Sequence, residues 1–211
     1  ARPLQLQGKP VTRVENYCAT GSEALRQACY AVASGAYDSA MAIGAEKVKD
    51  SGMQGLNAFP VPNDGTARTL TAAAMFSMVA PAYAQKYGVD RADLKRVLAR
   101  IASKNHANGA KNPLAQFRKE MSVEQLCAMP AVAGDLSVFD CAGVADGSAA
   151  AIVVRAEDAH KYTDKPLYIK ALSMVAGNGS GLMDPSYDYT TFPEIVQCAA
   201  DAYAQAGITD P

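Results

Sequence analysis

One cysteine stands where a predicted strand ends and a predicted helix begins, and this placement constrains how the rest of the chain can fold. Apolar and polar residues alternate from Val11 to Tyr17, which is typical of a strand with two different faces. From Thr20 to Gly35 the apolar residues recur at helical spacing, so this segment predicts an amphipathic helix. A second strand is predicted at Ser39–Ala45. Together the three elements predict a βαβ unit with a right-handed crossover.

The two ends of this helix are also marked in the sequence. Thr20 and Glu23 have the spacing of a capping box, which predicts that their side chains satisfy backbone N–H groups of the first turn. Gly35 is the type of residue that commonly ends a helix. The helix therefore starts within two residues of Cys18.

Cys18 has two interpretations. A thiol at the first turn of a helix faces backbone N–H groups and the positive end of the helix dipole, which favour a thiolate and can also stabilise a developing oxyanion. In this interpretation Cys18 is a nucleophile. In the other, Cys18 is a small buried hydrophobic residue, as free cysteines commonly are.

Three motifs carry a resemblance to a known family. The first runs from Val14 to Lys47 and contains V-E-N-Y-C-A-T-G-S followed by G-x-x-D-x-A-x-x-x-G-x-E-K. The second is K-N-H-x-x-x-x-x-N-P-x-A-Q at residues 104–116, and the third is D-C-x-x-x-x-D-G at residues 140–147, followed by S-A-A. In this order the motifs resemble the thiolase superfamily, in particular its sterol-carrier-protein-like and archaeal-type members.

The resemblance implies an α/β, thiolase-like fold of βαβ layers with a mainly helical loop-domain insertion, incomplete in this chain. Residues 1–46 would belong to the N-terminal half with the nucleophile, 47–145 to the loop domain, 146–165 to a returning strand, and 166–211 to the start of the C-terminal half. The histidine and the second cysteine that the family uses for acid–base chemistry would lie beyond Pro211, so the sequence is interpreted as the middle portion of a thiolase.

The same resemblance implies an acyl transfer in which Cys18 forms a thioester with the acyl group of a coenzyme A thioester. Met75, Phe76 and Ser77 would line the pocket for the acyl chain and pantetheine; alternatively, the Met and Phe fill the core of their own helix. Cys141, Ala142 and Gly143 would form a loop against the pantetheine arm. Many thiolases have a serine where Ala142 stands, so one family contact is missing here.

The two histidines are not predicted to act as the catalytic base. His106 falls in the loop-domain motif and is interpreted as structural or pocket-supporting, and His160 lies in a charged stretch that is typical of the protein surface. The other cysteines, Cys29, Cys127 and Cys198, lie on apolar helix faces and are predicted to be core residues.

Further elements follow from periodicity and from turn residues. The predicted helices are Thr71–Tyr87, Arg91–Ala107, Val123–Met129 and Phe192–Ala206, with Asp90 and Ser122 as N-caps and Gln125 completing a capping box. The predicted strands are Ser148–Arg155, apolar enough to be buried on both faces, and Leu167–Val175. Gly and Pro residues between Gly52 and Gly65 predict an irregular stretch, and the glycine-rich segment 177–181 predicts a turn.

Composition excludes several classes of function. The chain is 49% hydrophobic and 19% charged, with a formal net charge of −1, which is typical of a globular protein and argues against nucleic acid as a main partner. No segment is long enough to predict a membrane span. The five scattered cysteines predict neither a disulfide framework nor a metal site, and they favour the cytoplasm. No cofactor is expected besides the coenzyme A thioester substrate.

Three functions remain open. The first is a thiolase-type acyltransferase, working in either Claisen condensation or thiolytic cleavage. The second is a thiolase-fold aldolase that acts on an acyl-CoA side chain with a small OB-fold partner. The third is a non-catalytic acyl-CoA-binding subunit. The resemblance also implies a homodimer or a larger assembly.

Overall fold

The computed structural model describes residues 3–49, 57–60 and 69–211. In these residues the α-helices are α1 (Thr20–Ala33), α2 (Ala72–Phe76), α3 (Val79–Tyr87), α4 (Arg91–Ala110), α5 (Val123–Cys127), α6 (Ser180–Met183) and α7 (Pro193–Ala206). The strands are β1 (Ser39–Glu46), β2 (Asn57–Pro60), β3 (Thr69–Thr71), β4 (Ala131–Ala133), β5 (Leu136–Ser137) and β6 (Gly147–Val154). Short 3-10 turns occur at Tyr17–Ala19, Val138–Asp140 and Ala156–Lys161. The mixed content agrees with the predicted α/β class.

The chain divides into two compact units. Unit 1 comprises Ala1–Lys47, Asp146–Ala176 and Glu194–Pro211, and unit 2 comprises Val48–Ala145 and Gly177–Pro193. The sequence-based division into domains at residues 46, 145 and 165 remains a prediction. One segment, 177–193, is grouped by its contacts with unit 2.

Unit 1 is built on the antiparallel pair of β1 and β6, in which Met41 lies opposite Ile152. Helix α1 packs against both strands. Along the two strands Ala40 and Val153 are half-buried, whereas Met41, Ile43 and Ile152 on the opposite face are exposed. The prediction that the 148–155 strand is buried on both faces is therefore wrong, because the described chain covers only one face of this sheet.

Two predicted strands of unit 1 are not observed. Residues 11–16 form no strand and run into the 3-10 turn, and residues 167–175 also form no strand. A strand requires a neighbour for its ladder of hydrogen bonds, and among the described residues neither segment has one. The predicted βαβ unit is consequently wrong for the described chain, since β1 pairs antiparallel with β6.

Unit 2 has a small apolar core between α4 and α5. Ala99, Ala102 and Leu126 are buried there, and Phe139 packs against them. The predicted N-caps are confirmed: the Asp90 carboxylate accepts hydrogen bonds from the first turn of α4, and Ser122 forms a capping box with Gln125 at α5. Helix α5 is shorter than the predicted Val123–Met129 and α4 longer than the predicted Arg91–Ala107.

The predicted helix Thr71–Tyr87 is divided into α2 and α3. Pro81 lies three residues into α3, where it has no N–H to donate to the carbonyl of Ser77. The break at Ser77 and Met78 follows from this missing hydrogen bond. The irregular stretch predicted between Gly52 and Gly65 lies outside the described residues apart from β2, which is a strand.

The last elements are close to their predictions. Gly179 has a positive φ of 80° in the predicted turn and precedes the short helix α6. Helix α7 begins at Pro193. The first residue of a helix has no intrahelical acceptor for its N–H, so the absence of this group in proline breaks no hydrogen bond. Gly207 follows α7 with a φ of 68°.

Candidate functional site

Cys18 lies in the 3-10 turn that leads directly into α1, and its side chain is exposed. The described chain therefore does not bury Cys18, in contrast to the second interpretation. The residue before it, Tyr17, has a φ of 47°, in the left-handed region that non-glycine residues rarely adopt. Backbone strain of this kind collects at functional sites and persists only where surrounding contacts enforce it.

Short-range hydrogen bonds hold this turn. The N–H of Tyr17 donates to the Glu15 carboxylate at 3.0 Å, and the N–H of Asn16 donates to the Thr20 hydroxyl at 2.7 Å. The Thr20 hydroxyl lies 2.7 Å from the Tyr17 carbonyl oxygen and 3.1 Å from the Glu15 carboxylate, so its single proton serves one of them at a time. These contacts enforce the strained backbone at Tyr17.

The capping box predicted for Thr20 and Glu23 is wrong. Thr20 is the first residue of α1, and its hydroxyl stabilises the preceding turn instead of the helix. The Glu23 carboxylate accepts hydrogen bonds from the Arg26 guanidinium at 2.6 and 2.9 Å, and another from Gln27. These side-chain bonds lower the pKa of Glu23, with the bond from Arg26 as the largest cause.

Asn16 links the turn that contains Cys18 to a distant segment of unit 1. Its amide nitrogen lies 3.2 Å from the Met174 sulfur, in the segment predicted as a strand. That segment is itself bound to α7 through the Leu172 N–H and the Gln205 side chain, at 3.0 Å. The position of Cys18 is thus linked to α7 as well as to α1.

The predicted pocket residues of α2 lie in unit 2. Phe76 is 65% exposed and Met75 is half-buried. Ser77 donates its hydroxyl to the Ala74 carbonyl at 2.6 Å, and its side chain packs against Gly134. A Cβ on Gly134, whose φ is 54°, would lie 2.9 Å from the Cβ of Ser77, so only glycine fits there.

The predicted loop Cys141–Gly143 also lies in unit 2, where it meets different neighbours. Ala142 and Gly143 are exposed, and Cys141 is half-buried with its sulfur 3.5 Å from the Ser137 carbonyl. A Cβ on Gly143 would lie 2.7 Å from the ring of Phe117. The Gln116 amide donates to the Val144 carbonyl at 3.4 Å. The second and third sequence motifs therefore contact each other.

His106 lies near Phe117, the residue that packs against Gly143 of this loop. Its ring packs edge-on against Phe139 with centroids 5.5 Å apart, and the Phe117 ring lies 6.2 Å away. The Nδ1 atom is 3.1 Å from the Lys119 carbonyl oxygen. These contacts agree with the interpretation of His106 as a supporting residue.

One polar cluster of unit 2 was not singled out from the sequence. The Asp140 carboxylate accepts hydrogen bonds from Lys95 at 2.8 Å, from the Ser137 N–H at 2.7 Å and from the Ser137 hydroxyl at 2.8 Å. Ser137 is 1% exposed and the Asp140 side chain 7%. The spacing Ser137-x-x-Asp140 matches a capping box and could have indicated this pair; Lys95 has no comparable local pattern.

The remaining thiols lie on helices. Burial raises the pKa of the Cys29 thiol on α1. Cys127 packs against the core of unit 2, and Cys198 is half-buried on α7. Within the described residues, no group of three or more histidine, cysteine or acidic side chains could hold a metal ion. The helices of the same residues include none long and apolar enough to cross a membrane.

Comparison with known proteins identifies relatives over nearly the whole chain. Residues 3–157 match the family model described as thiolase, N-terminal domain. An acetyl-CoA acetyltransferase of Methanothermobacter thermautotrophicus is 35% identical over 208 residues, which cover 95% of this chain and 51% of that protein. Human sterol carrier protein 2 is 28% identical over 98% of this chain and 40% of that protein. These matches confirm the resemblance that the three motifs predicted.

A solved structure supports the fold. The chain described as Ltp2-ChsH2(DUF35) aldolase superposes with a TM-score of 0.70 at 24% identity, over 89% of this chain and 49% of that one. The chain thus spans about half the length of the relatives it matches.

Proposed function

Because the chain belongs to the thiolase superfamily, we propose that it takes part in acyl transfer from coenzyme A thioesters, with the Cys18 sulfur as the nucleophile. The observation that carries the proposal is the exposed thiol on a strained turn at the start of α1. The nearby N–H groups of the helix start are suited to the charge that develops on a thioester oxygen under attack.

The first step is a thioester exchange. The Cys18 thiolate attacks the carbonyl carbon of the acyl group, a new carbon–sulfur bond forms, and the bond to the coenzyme A sulfur breaks, so coenzyme A leaves as the thiolate and takes up a proton. In the second step the acyl group passes either to coenzyme A or to the carbanion of a second thioester. The same intermediate serves thiolytic cleavage and Claisen condensation.

The roles of the other residues follow from the family resemblance. Met75, Phe76 and Ser77 are assigned to the pocket for the acyl chain, and Cys141–Gly143 to the pantetheine arm. The exposure of Phe76, Ala142 and Gly143 supports this assignment, since each can be reached by a ligand. The Ser77 hydroxyl donates its proton to the Ala74 carbonyl, so it can offer a ligand only an acceptor.

The base that activates Cys18 is assigned to neither histidine of this chain. His160 is exposed in unit 1 and contacts the Tyr168 hydroxyl at 3.3 Å, and His106 is engaged in unit 2. The resemblance implies that the base is a histidine other than these two.

Labelling with acetyl-CoA tests the proposal. The native protein is incubated briefly with acetyl-CoA and with a longer acyl-CoA, and its intact mass and peptide map are then recorded. An acyl group on Cys18 that hydroxylamine removes is the expected result. Cys18→Ser should remove the label and lower turnover by about 10⁴-fold or more, whereas Cys29→Ser, in the helix that follows and half-buried, should retain both.

Acyl-CoA binding without acylation of Cys18 would contradict this proposal and favour the aldolase alternative. In that alternative a small OB-fold protein would copurify with the chain. The likeness to the solved aldolase is one of fold, so it does not by itself favour either chemistry.

We also propose that the protein is a cytoplasmic homodimer. The homodimer is implied by the family, and the cytoplasm is favoured by five free cysteines in the described chain. Sedimentation equilibrium and fractionation of the source cells would test the two statements separately.

A further inference from the structure

The loop Cys141–Gly143 is anchored on its N-terminal side by one side chain of α4. The Lys95 amino group contacts the Asp140 carboxylate at 2.8 Å and the Asp135 carbonyl oxygen at 3.3 Å. Asp135 and Asp140 are the first and last residues of segment 135–140, which directly precedes Cys141. Lys95 therefore contacts both ends of this segment.

The contact between Lys95 and Asp140 is part of a hydrogen-bond network that also includes Ser137. The carboxylate oxygen that Lys95 approaches also accepts from the N–H and the hydroxyl of Ser137, which is buried. The Cys141 N–H donates to the Val138 carbonyl at 3.2 Å, and its sulfur lies against the Ser137 carbonyl. Moving Asp140 would therefore move Cys141.

On its C-terminal side the loop is held by a second contact. Phe117 packs against Gly143, and Gln116 binds the carbonyl of Val144. Of the two residues contacted, Gly143 is exposed and Val144 is half-buried, whereas the Asp140 side chain is only 7% exposed. An acceptor that loses a charged donor in a buried setting must either find water or move, so the Lys95 contact is the stronger constraint on the loop.

We propose that Lys95 is a positioning residue, which sets the place of Cys141–Gly143 against the pantetheine arm of the coenzyme A thioester. This inference rests on the function proposed above, because it takes the ligand of the loop to be a coenzyme A thioester. Lys95 itself contacts Asp140 and the Asp135 backbone, and it acts on substrate through the loop.

Arg91 provides a matched control. It lies one helical turn before Lys95 on α4 and forms an ion pair with Asp135, in the same stretch of chain. Its side chain is 65% exposed, compared with 21% for Lys95, and the side chain of its partner Asp135 is 36% exposed, compared with 7% for Asp140. Loss of this pair should leave the loop in place.

The experiment compares Lys95→Met, Lys95→Arg, Asp140→Asn and Arg91→Met in the full-length native protein. The first measurement is the rate at which iodoacetamide modifies Cys141, mapped by mass spectrometry and divided by the rate at Cys127. The second is the affinity for coenzyme A by calorimetry, and the third is the split between KM and kcat with acetyl-CoA. Circular dichroism verifies that each variant is folded.

In Lys95→Met we expect Cys141 to be modified about tenfold faster, and kcat/KM to fall about 10- to 100-fold, mostly through KM. Lys95→Arg should restore both values to within about threefold, and Arg91→Met should match the wild type. Asp140→Asn, which keeps the shape of the side chain and loses its charge, should follow Lys95→Met in direction and keeps the test valid if Lys95→Met does not fold.

Two results would overturn the inference. One is an unchanged Cys141 rate in folded Lys95→Met or Asp140→Asn. The other is a faster rate with unchanged KM and coenzyme A affinity, which would mean that the loop moves without touching the ligand. Failure of the proposed function is distinguishable, because it would appear as an unlabelled Cys18 in the wild type, while Cys141 modification and coenzyme A binding can still be measured.

Discussion

Unit 1 and unit 2 differ in how far they bury their apolar side chains and pair their polar ones. In unit 2, Leu126 is enclosed between two helices, and the buried polar residues Ser137 and Asp140 have their partners within the unit. In unit 1, α1 covers one face of the β1–β6 pair, while Met41 and Ile152 on the other face are exposed. Unit 2 encloses an apolar core, whereas the β1–β6 pair of unit 1 has apolar residues that the described chain does not cover.

This difference shows which interactions are local. The core around Leu126 is formed by α4 and α5, which are successive helices in the sequence, and Ser137 and Asp140 are only three residues apart. A sheet depends on partners distant in sequence, so its apolar residues indicate burial only when those partners are present. An apolar side chain of a given size therefore contributes differently to the free energy of unfolding in the two units.

The largest expected difference is between two core-type substitutions. Leu126→Ala should lower the free energy of unfolding by about 2–5 kcal/mol because it leaves a cavity. Ile152→Ala should cost less than about 1 kcal/mol, since Ile152 is already 70% exposed. Hydrogen exchange of α4 and β6 amides measures the two costs locally. Equal costs would show that the exposed face of the sheet is covered in solution.

Two helical glycines give the next difference. A Cβ on Gly109 in α4 would lie 2.6 Å from the Phe117 backbone carbonyl, whereas nothing lies within 4 Å of one on Gly21 in α1. Gly109→Ala should therefore cost about 1–3 kcal/mol, and Gly21→Ala should be neutral or stabilise by up to about 1 kcal/mol. Urea unfolding followed by circular dichroism measures both. A stabilising Gly109→Ala would contradict the close approach.

A pH dependence should distinguish the polar cluster of unit 2. Burial alone raises the pKa of Asp140, but the hydrogen bonds from Lys95 and Ser137 outweigh it, so the pKa lies below its ordinary value. A depressed pKa contributes stability that is complete above the unfolded pKa of about 4 and is lost as the pH falls through the lower native value. Asp140→Asn should cost about 1–2 kcal/mol at neutral pH.

Urea midpoints of the wild type and Asp140→Asn, measured from pH 6 downward, provide the check. The difference between the two should shrink as the pH falls below about 4. Parallel curves at all values would mean that the Asp140 charge does not contribute to stability.

The smallest effect is expected for an exposed ion cluster of unit 1. Arg155 contacts Asp38 and Asp158 at 2.9 and 3.1 Å, and the Asp38 side chain is 88% exposed. Arg155→Met should cost no more than about 1 kcal/mol, and the cost should disappear in about 1 M salt. Thermal unfolding at low and high salt tests this, with Lys95→Met as the partly buried counterpart that should be less sensitive to salt.

Helices and caps were the most predictable part of the fold. The carboxylate of Asp90, the hydroxyl of Ser122 and the ring of Pro193 act on the first turn that follows them, so a few adjacent residues determine each helix start. The strand predicted at 167–175 is not formed, because alternation indicates two faces but does not provide a partner. For the same reason the βαβ unit was wrong.

The candidate site was predictable only in part. The motif around Cys18 placed the thiol correctly at the start of a helix, but the role of Thr20 was wrong because the hydroxyl binds the preceding turn. The contact between Phe117 and Gly143 joins two motifs that are far apart in sequence, and no local pattern announces it. Lys95 was missed since, in sequence, it is one more cation on an amphipathic helix.

The left-handed backbone at Tyr17 has a consequence for how this sequence can change. Glycine would adopt this conformation without steric cost, and a side chain there costs roughly 1–2 kcal/mol. A sequence optimised for thermal stability alone would therefore have glycine at this position. Tyr17→Gly should raise the melting temperature and, under the role proposed above for Cys18, should lower the reactivity of the neighbouring thiol, so stability and reactivity would compete at this position.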